Sequence, residues 1–136
     1  MAGLVCDIVT RESKLYTGDA TMVVVPGVQG SMGFLQGHEP LVSPLADGVV
    51  RVQLDGGTDL SYVCQGGYVQ VTGEKVIVLA DRALPVSDVD TARAREQLAD
   101  ATAKLAALSE DEAKKTTLPA DISWCKAQLA AKGEVG

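Results

Sequence analysis

Leu84-Pro85-Val86-Ser87-Asp88-Val89-Asp90-Thr91-Ala92-Arg93-Ala94 is where the grammar of this 136-residue chain changes. Before Pro85 lie twelve of its fourteen glycines and five alanines; after it lie twelve alanines and two glycines, Gly133 and Gly136. Glycine-punctuated, valine-rich sequence makes strands and turns, because Gly reaches backbone angles that tight turns need and β-branched side chains fit a pleated surface. Alanine mixed with Lys, Glu, Gln and Leu favours helix. Strands followed by helices, not alternating with them, predict segregated β and α parts. The chain therefore divides into residues 1–86, a β domain, and residues 87–136, a helical domain.

Working back from the boundary, six segments carry strand character. They are Leu4 to Thr10, Met22 to Val25, Val49 to Leu54, Leu60 to Cys64, Tyr68 to Val71 and Val76 to Leu79. Pro26-Gly27, Asp55-Gly56-Gly57, Gly66-Gly67 and Thr72-Gly73-Glu74 punctuate them as turns, and Asp55-Gly56-Gly57 reads as a hairpin. Short strands at this spacing predict an antiparallel sandwich or barrel.

Working forward, Ser87 and Asp90 stand in the S-x-x-D relation of a capping box, so a first helix is expected from Asp88 to Leu108. Ala94, Leu98, Ala101, Leu105 and Leu108 repeat at helical spacing and share one face. Ser109 to Leu118 is polar and reads as a loop. Pro119 suits the first turn of a second helix whose inner face is Ile122, Cys125 and Leu129, with Gly133 as its C-cap. Alanine supplies much of the inner stripe, and a buried methylene is worth about 0.8 kcal/mol, so this hairpin is weakly held.

Composition removes several function classes. A net charge of −6 and only five aromatic residues (Tyr16, Phe34, Tyr62, Tyr68 and Trp124) oppose nucleic-acid binding, which needs a basic face and stacking platforms. Cys6, Cys64 and Cys125 are widely spaced and odd in number, as expected of reduced thiols in a cytosolic protein. With a single histidine, His38, no metal site is expected. No signal peptide is evident, and no stretch approaches the roughly 20 apolar residues of a spanning helix, so any membrane association runs through other proteins.

Three segments, in order, resemble the epsilon subunit of F-type ATP synthases. Gly30-Ser31-Met32-Gly33-Phe34-Leu35-Gln36-Gly37-His38-Glu39-Pro40-Leu41 is similar to the family's G-E-x-G-(I/L/F)-x-P-G-H-x-P-L. Gly66-Gly67-Tyr68-Val69-Gln70-Val71 is similar to its GG-x-(L/V)-x-V hairpin, and Val78-Leu79-Ala80-Asp81-Arg82-Ala83 to V-L-A-(D/E)-x-A. The resemblance implies a ten-stranded β-sandwich followed by an antiparallel two-helix hairpin. It further implies a non-catalytic central-stalk subunit that couples proton translocation to ATP synthesis, at the cytoplasmic face of the cell membrane. The implied partners are the gamma subunit and the c-ring, with the alpha and beta subunits reached by helices that regulate hydrolysis.

The resemblance also points to residues. It places His38 and its neighbour Glu39 at the gamma-facing surface, against the plain alternative of a hydrogen-bonded loop histidine. Ser31 stands where the family often has a glutamate facing the polar loop of the c-ring, and Gln36 where proline is usual; Ser31 offers no charge to pair. Val89-Asp90-Thr91-Ala92-Arg93-Ala94 resembles the (I/L)-D-x-x-R-A motif that binds ATP in some members, which makes Asp90 and Arg93 nucleotide-binding candidates. The simpler alternative is an acidic residue in the first turn of a helix with an i+3 partner. The second helix offers Lys126 and Lys132 where arginines would be expected, and lysine does not replace a bidentate guanidinium. No cofactor is required, and ATP is expected as a weak regulatory ligand at most. For the same reason inhibition of hydrolysis is expected to be weak: Glu110, Asp111, Glu112 and Asp121 largely cancel Lys114, Lys115, Lys126 and Lys132. The rival reading is a stand-alone β-sandwich that binds a small ligand and carries a helical dimerisation tail. An enzyme is more remote still, since Cys64 as nucleophile would need His38 beside it.

Overall fold

The computed structural model describes residues 3–133. Ten strands form two five-stranded sheets. They are β1 (Leu4–Val9), β2 (Lys14–Ala20), β3 (Met22–Gly27), β4 (Gly30–Phe34), β5 (Leu41–Pro44), β6 (Gly48–Gln53), β7 (Asp59–Gln65), β8 (Tyr68–Val71), β9 (Lys75–Leu79) and β10 (Arg82–Pro85). The first sheet runs β2-β1-β9-β8-β5 and the second β10-β7-β6-β3-β4. Every ladder is antiparallel except β1–β9, which is parallel. β2, β4, β5 and β10 are the strands that local sequence alone does not reveal. Lys14–Ala20 and Gly30–Phe34 carry the glycines and polar residues of edge strands, which read as loops.

Period-two alternation places the core. Leu4, Cys6 and Ile8 of β1, with Val69, Val71, Val76 and Val78, face Val23, Val25, Phe34, Val50, Val52, Tyr62 and Cys64 across the sandwich. The β6–β7 connection turns on Gly56 and Gly57 at φ of 89° and 85°, a conformation that β-branched residues avoid. Gly67 is demanded twice: its φ is 88°, and a Cβ there would strike the carbonyl of Leu79.

A 3-10 turn over Val86–Asp88 leads into α1 (Thr91–Ala106), α2 (Glu110–Lys114) and α3 (Leu118–Ala131). The first helix starts later than expected, because Asp90 is itself the N-cap and no Ser87 capping box forms. The capping box is instead at Ser109 and Glu112, whose mutual hydrogen bonds turn the expected loop into the short helix α2. Gly133 closes α3 with its N–H on the Ala130 carbonyl.

The helices form two layers on the second sheet: α3 rests on β7 and β6, and α1 rests on α3. Ala94 and Ala101 are buried and Leu98, Leu105 and Leu108 half-buried, so α1 has one inner face, as its spacing requires. In α3, Cys125, Gln128 and Leu129 are buried, because this helix has a neighbour on both sides. Val63 points away from the sandwich core yet is fully buried, covered by the hairpin.

Candidate functional site

The loop from Leu35 to Pro40 crosses from β4 in the second sheet to β5 in the first. It is pinned where the Gly37 N–H donates to the Gly73 carbonyl at 2.6 Å. The His38 ring stands edge-on to Phe34, with centroids 5.0 Å apart, and its Nδ1 donates to the Glu39 carbonyl at 2.8 Å. Phe34 belongs to the core, so the histidine anchors the loop to the sandwich. Gln36, His38 and Glu39 are exposed together. Ser31 is not with them. It lies opposite Pro26 toward the β3–β4 turn, about 13 Å away along the strand at roughly 3.3 Å per residue. The four expected contact residues therefore mark opposite ends of the sandwich.

Cys64 is fully buried in the core, where burial pushes its thiol up to about 12. His38 is exposed on a loop, so no thiol–imidazole pair is assembled. Asp90 caps α1: its Oδ1 accepts the backbone N–H of Arg93 at 3.1 Å. Both side chains are exposed, and neither lines the clefts around α1 and α3. Among the described residues, no cluster of three or more His, Cys, Asp or Glu could hold a metal ion.

Two features escaped sequence reasoning. The first is the seam between hairpin and sandwich. Arg82 of β10 donates to Asp121 of α3 at 2.7 Å, and the Gln65 amide donates to the Ala120 carbonyl at 2.7 Å. A cleft of about 510 Å³ opens beside them, lined by Arg11, Glu12, Asp81, Arg82 and Trp124, with its charges balanced.

The second is the outward face of the first sheet, which no helix covers. Register aligns Pro44, Tyr68, Leu79 and Val9 in one cross-strand row and Val42, Gln70, Ile77 and Asp7 in the next. Val42 is 67% exposed, Tyr68 55% and Leu79 44%, large apolar groups left facing water. At the margin Asp7 accepts from Thr17 Oγ1 at 2.6 Å and pairs with Lys75 at 3.1 Å. The Thr17 hydrogen bond, with Lys75, holds the Asp7 carboxyl below its usual range. A lone aspartate inside Leu4-Val5-Cys6-Asp7-Ile8-Val9 was the sequence signal for this pair. The face as a whole is apolar and close to neutral on an acidic protein.

Comparison with known proteins adds the following. Residues 4–86 match the family model for the ATP synthase delta/epsilon chain, beta-sandwich domain. The chain is 39% identical over 128 residues to ATP synthase epsilon chain 2 of Ralstonia nicotianae, covering 94% of this chain and 91% of that one. It is 36% identical over 129 residues to the ATP synthase epsilon chain of Chromohalobacter salexigens, covering 95% and 91%. Its fold superposes with a TM-score of 0.72 and 25% identity on a chain of the Euglena gracilis mitochondrial ATP synthase, solved with OSCP, F1 and the c-ring, covering 90% of this chain and 78% of that one.

Proposed function

Given that this chain belongs to the family of ATP synthase delta/epsilon chains, we propose that its uncovered first-sheet face seats the gamma subunit while its β3–β4 end meets the c-ring. The chain is a non-catalytic subunit of the ATP synthase central stalk. The observation that carries the partner assignment is the contrast between the two outer faces. The hairpin covers the β6–β7 part of one, and the other, which no helix covers, presents Val42, Tyr68, Leu79 and Val5. A depleted-charge apolar patch is the mark of a stable interface core. The face runs without a break into Pro40, Glu39 and His38, the segment that the resemblance assigned to gamma. Ser31 and the exposed Val28 lie at the other end, toward the rings of the rotor.

No helix among the described residues is long and apolar enough to cross a membrane. As a central-stalk subunit, the chain is held at the cytoplasmic face of the membrane through its partners. It requires no cofactor. ATP is a weak ligand at most, because the Asp90 carboxylate is committed to the helix cap and no arginine reaches it from α3. The hairpin is a weak brake on hydrolysis, its basic residues offset by α2's Glu110, Asp111 and Glu112. Deleting residues 87–136 should leave the hydrolysis rate of the assembled enzyme within a few-fold; a large rise would overturn that part.

The test of the stalk assignment is capture of the tagged full chain from membranes in mild detergent. It should bring down gamma and the c-ring in fixed proportion. Recovery of the chain alone, or of a homodimer, would support the stand-alone binder instead.

A further inference from the structure

A sandwich has four sheet edges, and an unguarded edge invites a foreign strand. Three are guarded here. β2 carries exposed Lys14 and Asp19, and its ladder to β1 is bulged between Ile8 and Val9. β10 is four residues long and is tied through Arg82 to α3. β5 is four residues long, and because the Leu45 N–H points to the Gly67 carbonyl of the neighbouring strand, Val42 and Pro44 face the free edge, where Pro44 has no N–H to offer. β4 has no guard. Its sequence, Gly30-Ser31-Met32-Gly33-Phe34, contains no charge and no proline.

The register fixes which groups are open. The Pro26 carbonyl accepts the Ala46 N–H, so Pro26 turns its main chain away from β4. Its partner Ser31 is therefore at a non-hydrogen-bonded position, and so is Gly33 opposite Val24, two residues along. The N–H and C=O groups of Ser31 and Gly33 point off the sheet, and both residues are exposed. Met32, between them, pairs inward with Val25.

We propose that β4 is a docking strand, and that an extended segment of the stalk neighbour covering the first-sheet face adds to it as a sixth strand of the second sheet. This rests on the stalk reading above. An isolated bridge joins Leu45, just past β5, to Gly27 of β3, the strand that carries β4, so the β5 and β4 edges lie on one side of the sandwich. β5 carries Val42, and a neighbour seated on that face therefore stands beside β4. Recognition is by main chain. The incoming segment needs no proline at its paired positions, and the small Ser31 and Gly33 leave room opposite them for large side chains. A second copy of this chain is disfavoured by a charge of −6 on each.

Hydrogen exchange of the full chain, read residue by residue with fragmentation mass spectrometry, tests this alone and in the assembled synthase. Ser31 and Gly33 amides should exchange at least tenfold more slowly in the assembly, while Met32 is slow in both. Equal exchange at Ser31 and Gly33 in a synthase that contains the chain overturns the proposal and leaves the stalk reading standing. Ser31→Pro, which removes an outward N–H and no β3 bond, should be recruited at least tenfold more weakly than Ser31→Ala, which lacks the same hydroxyl but keeps the N–H; equal recruitment of the two variants overturns it. Should Ser31→Pro misfold, shown by a fast Met32 amide, the wild-type exchange decides. Protection of both amides in an isolated dimer also overturns it, with a second copy as occupant. A chain that is not recruited at all removes the stalk reading and this proposal together.

Discussion

Leu129→Ala separates the two parts of the molecule energetically. Leu129 is fully buried on α3 and, like Val63, Val89, Ala94, Ala101 and Cys125, is a buried apolar residue outside the sandwich core. Two of those residues are the alanines of α1, so the packing between the helices is thin. Leu-to-Ala changes at buried sites cost about 3–5 kcal/mol, and the thin packing allows some collapse, which places this one near 3 kcal/mol. Because α1 is held chiefly by α3, the loss falls on hairpin docking. At about 1.4 kcal/mol per factor of ten, amides of α1 and α3 that exchange by hairpin opening should do so on the order of 100-fold faster. Amides of β1, β6, β7 and β9 should be unchanged. Acceleration of equal size in both parts would refute the reasoning, since it would mean that sandwich and hairpin open as one unit.

Three further outcomes follow from named contacts. Asp7 has a depressed folded pKa, from the Thr17 hydrogen bond and Lys75. Its contribution is present above the unfolded value near 3.9 and is lost as pH falls through the lower folded value. The urea midpoint should therefore fall below pH 4, and Asp7→Asn should lower it at neutral pH and flatten that fall; a parallel curve for the variant would contradict this. Cys6 and Cys64 are buried thiols pushed up to about 12, with burial as the main cause. Cys125, also raised by burial, lies on α3, within the hairpin and outside the sandwich core. Iodoacetamide at pH 8 should modify Cys125 well before the other two, and equal rates by mass spectrometry would contradict the layered packing. The Arg82–Asp121 pair has side chains 35% and 36% exposed, so a double-mutant cycle on hairpin opening should give about 1 kcal/mol or less, smaller still in high salt. A salt-insensitive coupling above about 2 kcal/mol would refute that.

The division at Pro85 was legible because two compositions meet there, and the strands with a continuous β-branched face were legible for the same reason. Edge strands were not. Gly30–Phe34 gets its strand geometry from pairing with Val23, Val25 and their neighbours, a long-range cause that no local window contains. The helix start was misplaced because Ser87 and Asp90 satisfy a capping pattern that Asp90 alone fulfils. Ser109 and Glu112 satisfied the same pattern inside a segment too polar to suggest a helix. At the site level, the resemblance assigned His38 to the gamma-facing surface and Ser31 to the c-ring, and it is the register that puts the two toward opposite ends of the sandwich. The apolar face was invisible in one dimension, since Val42, Tyr68 and Leu79 become neighbours only across three strands.

The central claim is that this chain belongs to the central stalk and couples proton flow to ATP synthesis without chemistry of its own. Membranes carrying the synthase stripped of its own epsilon subunit should lose proton-driven ATP synthesis, and adding the purified full chain should restore it. Membranes that stay uncoupled after the folded chain has been added in excess would contradict the account.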